Sequence, residues 1–369
     1  KAKRYAREIV PRFSAFAYFS FGIRLARLLT NTVYRVETAS SNESTFAALP
    51  RDATVVFIMN HRSNMDYMLV TYLAARSSAL SYAVGEWARV WPLSTLIRSM
   101  GAYFIRRRSR GALYRKVLAR YVQMATTGGV TQAFYPEGGL SLTGALQPPK
   151  VGLLSYVVEG FDPEGERDII FVPVAINYDR ILEDRVLIAA GERGDRRFGA
   201  RITVVVGFVL RKIWRRMRGR DTRFGTAAVA FGDPLSLRRT GKDVPVSDLS
   251  EMLMDRIAQA MPVLTVPLIA RVMLQAKGPL SEAELLAKVA ATLEQMPLRN
   301  RVPKPDVLPD RVARATARLK KRGVISEDAK GLQIAAGQEP VLAFYANSIA
   351  HFPSEDAAPA AEIAATAGS

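Results

Sequence analysis

The chain has 369 residues, 49% of them apolar, and its 52 Lys and Arg against 34 Asp and Glu leave a formal net charge of +18. This length and apolar content predict two or three structural units with a sizeable core and exclude disorder for the bulk of the chain. With no Cys and with His61 and His351 as the only histidines, disulfides, thiolate nucleophiles, cysteine-ligated metals and polyhistidine zinc sites are excluded.

No stretch of about 18 residues is free of charge, so no bilayer span is expected. The two best stretches, 14–30 and 262–276, carry Arg24 with Arg27, and Arg271. The basic segment at the start is followed by no uninterrupted apolar core and no small-residue cleavage site, which reads as a cytoplasmic protein. A charge of +18 demands an anionic partner, for which nucleic acid, a membrane surface and an acidic substrate all qualify.

Residues 1–36 mix aromatics with Lys and Arg, and Phe13, Phe16, Phe19 and Ile23 recur at helical spacing, predicting a basic amphipathic helix or helical hairpin. With a polar linker this segment is assigned 1–45. From 46 to 277, strands at 54–59 (TVVFIM), 80–84, 102–105, 130–135, 169–177, 202–209 and 227–231 alternate with helices at 67–75, 95–100, 113–126 and 151–158. That alternation predicts an α/β fold, a mixed and largely parallel sheet flanked by helices. Composition shifts after 277. A helix opened by Ser281-Glu-Ala-Glu284, a second helix over 311–322, and short strands at 324–325 and 332–334 outline a winged-helix-like module over 278–352. An Ala/Pro-rich tail fills 353–369.

A Walker A loop and a G-x-G-x-x-G after a strand are both absent, and Gly139-Leu-Ser-Leu-Thr143 puts Thr where a serine elbow needs its second Gly. Four other stretches stand where strands end. Asn60-His-Arg-Ser-Asn-Met-Asp66 follows the TVVFIM strand, at the sheet edge where open α/β sheets bind ligands. A carboxylate at Asp66 would fix the His61 tautomer and free the other ring nitrogen to take a proton; an isolated H-x4-D is also an ordinary polar turn. Gly101-Ala-Tyr-Phe-Ile-Arg-Arg-Arg108 places Arg106 and Arg107 after an apolar strand, inside a 95–120 stretch that has eight cations and no acid. Guanidinium forks suit phosphate, although a solvated basic face accounts for most of these cations. Ala133-Phe-Tyr-Pro-Glu-Gly-Gly139 stations Glu137 at an edge, with Gly138 allowing close backbone approach, and is closed by Pro148-Pro-Lys150. Phe171-Val-Pro-Val-Ala-Ile-Asn-Tyr178 reads as a core strand with a polar end.

The order H-x4-D, G-x-x-F-I-R-R, F-x-P-E-G-G, V-P-V-x-I-x-Y resembles the four blocks of the glycerolipid acyltransferase family, specifically its glycerol-3-phosphate acyltransferases. Phe231-Gly-Asp-Pro-Leu and Leu342-Ala-Phe-Tyr-Ala-Asn-Ser-Ile-Ala-His351 extend the likeness. The resemblance implies acyl transfer from an acyl-carrier-protein or coenzyme A thioester to the sn-1 hydroxyl of glycerol 3-phosphate. It implies His61 as general base and Asp66 as its orienting acid. Arg107, with Arg106 beside it, would bind the acceptor phosphate, Glu137 and Gly138 would shape the acceptor pocket, and Lys150 would add positive charge. No metal is implied, since the arginines take the electrostatic part a cation would otherwise play, and no cofactor is expected. Where the family writes arginines in the third block, this chain has Leu140 and Leu142. Either Arg106, Arg107, Arg108 and Lys150 carry the phosphate or the acceptor differs, with 1-acylglycerol 3-phosphate as the nearest rival.

Over 204–220 (VVVGFVLRKIWRRMRGR) cations interleave with Ile213, Trp214 and Met217, a pattern suited to anionic lipid, against the alternative of an exposed basic helix with a core-facing Trp214. The expected location is peripheral, at the cytoplasmic face of a membrane. A nucleic-acid-binding protein using the carboxyl-terminal module is the alternative from another class; the cations cluster in 1–30, 95–120 and 211–223, away from that module, so no nucleic-acid partner is expected.

Overall fold

Strands made of Val, Ile and Phe without polar alternation need cover on both faces, which parallel sheets with flanking helices provide. The computed structural model describes residues 1–39, 49–74, 80–84, 93–106, 111–194, 214, 218, 223–241 and 243–353, and shows this arrangement. In chain order the strands are β1 (Arg35–Thr38), β2 (Thr54–Met59), β3 (Ser81–Val84), β4 (Tyr103–Phe104), β5 (Gln132–Phe134), β6 (Ile169–Tyr178), β7 (Thr226–Phe231), β8 (Leu235–Ser236), β9 (Ile325–Asp328) and β10 (Gly331–Ile334). The main sheet runs β1-β7-β6-β2-β5-β3-β4, with β8 paired to the start of β6. Strands β4, β3, β5, β2 and β6 are mutually parallel; β7 is antiparallel to β6, and β1 is parallel to β7. All ten residues of β6 are buried, as its unbroken apolar run demands.

Helices Asp66–Ala74, Leu93–Ser99, Ala112–Thr127 and Gly152–Glu159 make the crossovers β2 to β3, β3 to β4, β4 to β5 and β5 to β6. The amino-terminal segment folds as helix Ala2–Ile9, a π-helical turn Ala17–Gly22 and helix Ile23–Val33. The expected strand at 202–209 lies outside the described residues. Sequence patterning misses β1, whose RVET composition is that of an edge strand, and helices Asp184–Glu192 and Val246–Gln259.

Contacts divide the chain into one compact unit of Lys1–Leu142 with Leu146–Pro262 and another of Thr143–Ala145 with Val263–Ser369, where composition alone places the boundary after 277. The difference comes from helix Thr265–Gln275. Nine of its residues are buried, and within the second unit it packs against helices Glu282–Gln295, Leu308–Lys321 and Glu339–Ala346. A helix apolar nearly all round is what the middle of a helical cluster needs, so one of the two most apolar stretches of the sequence is the axis of this unit. Among the described residues no helix is long and apolar enough to cross a membrane. Ser281 caps helix Glu282–Gln295 with the capping box expected: its Oγ accepts from the Glu284 N–H (3.2 Å) and Glu284 Oε2 accepts from the Ser281 N–H (2.8 Å). Strands β9 and β10 form an antiparallel ribbon.

Gly101, ahead of β4, has φ +90°, and a Cβ there would lie 2.8 Å from the Leu80 carbonyl oxygen. Gly101→Ala is therefore expected to lower the unfolding free energy by about 1–3 kcal/mol, seen as a reduced midpoint in urea denaturation with an unchanged slope. An unaltered midpoint would show that the turn tolerates a side chain.

Candidate active site

The pairing register assembles the site. Ile58 of β2 stands opposite Phe134 of β5, so His61 and Glu137, each three residues further along, leave the carboxyl edge of the sheet side by side. On the other side Met59 stands opposite Val174 of β6, which brings the end of β6 to the same place. Where β2 stops pairing, side chains take over. Asn60 Nδ2 donates to the Ile176 carbonyl (3.0 Å) and its Oδ1 accepts from the Ile176 N–H (2.7 Å). The His61 N–H donates to Glu137 Oε1 (2.8 Å).

From this anchored backbone the His61 ring reaches Asp66, with Nδ1 and Oδ2 2.9 Å apart. The same oxygen accepts from the N–H groups of Arg62 (2.7 Å) and Ser63 (3.0 Å), and Oδ1 accepts from the Tyr178 hydroxyl (2.6 Å). Asp66 opens helix Asp66–Ala74, where the helix dipole favours a negative charge. With Nδ1–H turned to a carboxylate, the neutral imidazole keeps its lone pair at Nε2, the position a general base uses. The ring stacks on Tyr135 (centroids 4.0 Å, interplanar 20°) and meets the Tyr67 ring edgewise at 5.5 Å. His61 is 3% exposed and Asp66 fully buried.

Glu137 is buried as well. It accepts from the Gln147 N–H at Oε2 (3.1 Å), so both of its oxygens hold backbone. Burial pushes its carboxyl up to about 8, against the pull of the two N–H donors and of nearby Arg62. Gly138 has φ +67°, and a Cβ there would lie 3.0 Å from Lys150 Cδ and 3.2 Å from Lys150 Nζ: the lysine chain crosses the glycine face. The structure thus brings His61, Asp66 and Glu137 together, with Gly138 and Lys150 one step along the same loop.

Arg106 stands elsewhere. It follows β4, three strand spacings from β2, about 14 Å across the sheet. Its guanidinium is engaged bidentately by Glu8 of helix Ala2–Ile9, at 2.6 Å for each contact. The acid missing from 95–120 is therefore supplied from 98 positions earlier in the chain, a partner that local sequence cannot indicate. Arg107 and Arg108 lie outside the described residues, as does most of 204–220. Of that segment, Trp214 is 51% exposed, with the Arg218 guanidinium 3.6 Å from its ring centroid, which corrects the core-facing alternative for this side chain. An apolar cavity of about 840 Å³ opens beside Leu80, Ser81, Gly101 and Val130, where β3, β4 and β5 begin. It lies at the edge of the sheet opposite His61 and is separate from this constellation. Among the described residues no cluster of three or more His, Asp or Glu is arranged to hold a metal ion.

Sequence reasoning gives no role to Tyr178, Asn60 or Glu183. Tyr178 closes the fourth motif, and its position at a strand end was the available signal; Asn60 precedes the histidine directly.

Two family models match consecutive parts of the chain: Acyltransferase over residues 42–177, and Glycerol-3-phosphate acyltransferase C-terminal region over residues 210–366. Curated relatives named glycerol-3-phosphate acyltransferase include those of Pseudoalteromonas atlantica, 27% identical, and Aeromonas hydrophila, 29% identical. Each alignment covers 95% of this chain and 46% of the relative, so the chain spans about half the length of the curated proteins it matches. The crystal structure of a 1-acyl-sn-glycerophosphate acyltransferase from Thermotoga maritima is 18% identical, with a TM-score of 0.39 over 65% of this chain and 75% of that one.

The raised Glu137 carboxyl has a measurable consequence. A group whose folded-state pKa exceeds its unfolded value contributes stability that is present below the unfolded value, near 4.5, and is lost as pH rises through about 8. Between pH 5 and 8, wild type should therefore lose stability relative to Glu137→Gln, read from denaturation midpoints; a pH-independent difference would refute the shift. Tyr178→Phe removes a hydrogen bond to a buried carboxylate and should cost about 1.5–3 kcal/mol, measured in the same way.

Proposed function

We propose that this chain, which belongs to the acyltransferase family, transfers a fatty acyl group from an acyl thioester to the sn-1 hydroxyl of glycerol 3-phosphate, giving lysophosphatidic acid for phospholipid synthesis. The observation that carries this reading is the His61–Asp66 pair, buried at the carboxyl edge of a largely parallel sheet and held at 2.9 Å. The names of the relatives support the acceptor.

In the proposed reaction His61 Nε2 takes the proton of the acceptor hydroxyl as its oxygen attacks the thioester carbonyl. Asp66 stabilises the imidazolium that forms. The tetrahedral intermediate collapses by breaking the carbon–sulfur bond, and the imidazolium returns the proton to the departing thiolate. Atoms balance as alcohol plus thioester giving ester plus thiol, with no covalent enzyme intermediate, which suits a chain lacking Cys and a serine elbow. The thioester is carried by acyl-carrier protein or coenzyme A.

For the acceptor phosphate we assign Arg107 first, then Lys150, whose chain already lies over Gly138. Arg106 joins by exchanging Glu8 for the phosphate, since a guanidinium fork takes either anion bidentately. Leu140 and Leu142 favour a second reading, in which the acceptor is 1-acylglycerol 3-phosphate and carries apolar chain of its own into this loop. Peripheral binding to an anionic membrane at its cytoplasmic face is supported by exposed Phe13, Phe16, Phe19, Phe21 and Leu28 beside exposed Arg24 and Arg27, and by the exposed Trp214–Arg218 pair.

The test is acyl transfer by the purified protein to glycerol 3-phosphate and to 1-acylglycerol 3-phosphate, from both thioester carriers. His61→Ala should lower turnover by about 10²–10⁴ while circular dichroism stays unchanged. Arg107→Ala should raise the acceptor KM more than it lowers kcat. Turnover surviving in His61→Ala would overturn the mechanism, and unchanged acceptor dependence in Arg107→Ala would remove that residue from the phosphate site.

A further inference from the structure

Between His61 and Asp66 the chain turns through Arg62, Ser63, Asn64 and Met65, and this turn is gripped from outside by one carboxylate. Glu183 Oε2 accepts from the Ser63 hydroxyl (2.9 Å); its Oε1 accepts from the Asn64 N–H (3.2 Å) and from Asn64 Nδ2 (2.9 Å). Glu183 is 8% exposed, and its own backbone is fixed because its carbonyl accepts from Val186 and Leu187 at the start of helix Asp184–Glu192. A buried carboxylate is costly unless donors surround it, and Ser63 and Asn64 of this turn supply three of them, so turn and carboxylate hold each other in place. Ser63 is thereby clamped on two sides. Its N–H donates to Asp66 Oδ2, the same oxygen that meets His61, while its hydroxyl donates to Glu183 and accepts from the Met65 N–H (3.2 Å). Glu183 follows Tyr178, the donor to Asp66 Oδ1, by five residues, so the segment after β6 reaches both the aspartate and the turn that contains it.

We propose that Glu183 is a positioning residue for general-base catalysis: by locking Ser63 and Asn64 it fixes the turn that sets the His61–Asp66 hydrogen bond, without itself touching substrate. The role in catalysis rests on the acyl-transfer reading above; the effect on the imidazole does not.

The sequence makes a direct test available, because His61 and His351 are the only imidazoles and His351→Gln assigns their nuclear magnetic resonance signals. In folded Glu183→Ala the His61 ring nitrogen signals should move toward those of a free imidazole, and the Nδ1 proton should exchange faster with water. Glu183→Gln, whose amide oxygen still accepts from Asn64, should restore part of the wild-type spectrum, and Ser63→Ala provides a second, milder loosening should Glu183→Ala fail to fold. In turnover, kcat should fall by up to about 100-fold with the KM of acceptor and thioester within twofold. Combining Asn64→Ala with Glu183→Ala should add little to the single losses, since both cut the same tie. A wild-type His61 spectrum in folded Glu183→Ala, an unchanged kcat, or fully additive losses would each overturn the proposal. Should wild type transfer no acyl group while the imidazole signals shift as expected, the reaction assignment falls and the positioning role stands.

Discussion

The site depends on one desolvated charge. Asp66 lies out of water and accepts from the His61 ring, from the Arg62 and Ser63 backbone and from the Tyr178 hydroxyl. A carboxylate buried with fewer donors would neutralise or expel itself, and a neutral acid would no longer orient an imidazole for proton transfer. Two of the donors come from the turn that separates the histidine from the aspartate, which is why five residues suffice. The donor at Oδ1 comes from a different strand, which is why the turn needs a sheet behind it.

That sheet does more than carry loops. Parallel strands end together, and the register of β2 with β5 and β6 sets Glu137 and the last residues of β6 beside the histidine before any side chain is placed. Beyond the last ladder bonds, Asn60 to β6 and Glu137 to the His61 N–H act as side-chain extensions of the sheet. Glu137 is in this sense an anchor of backbone, with its oxygens on His61 and Gln147. The sequence pattern suggests an acid stationed at the edge; only the pairing reveals that it holds the histidine itself.

What was legible in the sequence follows from range. The H-x4-D contact closes within one turn, so it was legible once the order of the four motifs lifted it above an ordinary polar turn, and the apolar runs of β2 and β6 declared buried parallel strands. The capping box at Ser281 was local too. Features set by distant partners were not legible. Nothing near Arg106 announces Glu8, and the RVET composition of β1 does not signal pairing with β7 from nearly 200 positions away. Glu183 was hidden for the same reason: its donors, Ser63 and Asn64, lie about 120 positions earlier. Helix Thr265–Gln275 falls before the composition shift at 277, so sequence alone separates it from the later helices with which its burial groups it.

The distribution of charge around the histidine bears on the proposed acceptor. Asp66 and Glu183 flank the turn, beside the buried acid Glu137 and countered by buried Arg62, so a phosphate brought against His61 would meet acidic groups on several sides. The cation next along the loop is Lys150, drawn across the bare face of Gly138, and Arg106 after β4 stands further out on the same edge of the sheet. A molecule suited to this field must present an uncharged hydroxyl to the imidazole and carry its negative charge several bonds away. Glycerol 3-phosphate, with its sn-1 hydroxyl at one end of a three-carbon chain and its phosphate at the other, has that separation. The sn-2 hydroxyl of its 1-acyl derivative lies one carbon closer to the charge and adds a chain for Leu140 and Leu142 to meet.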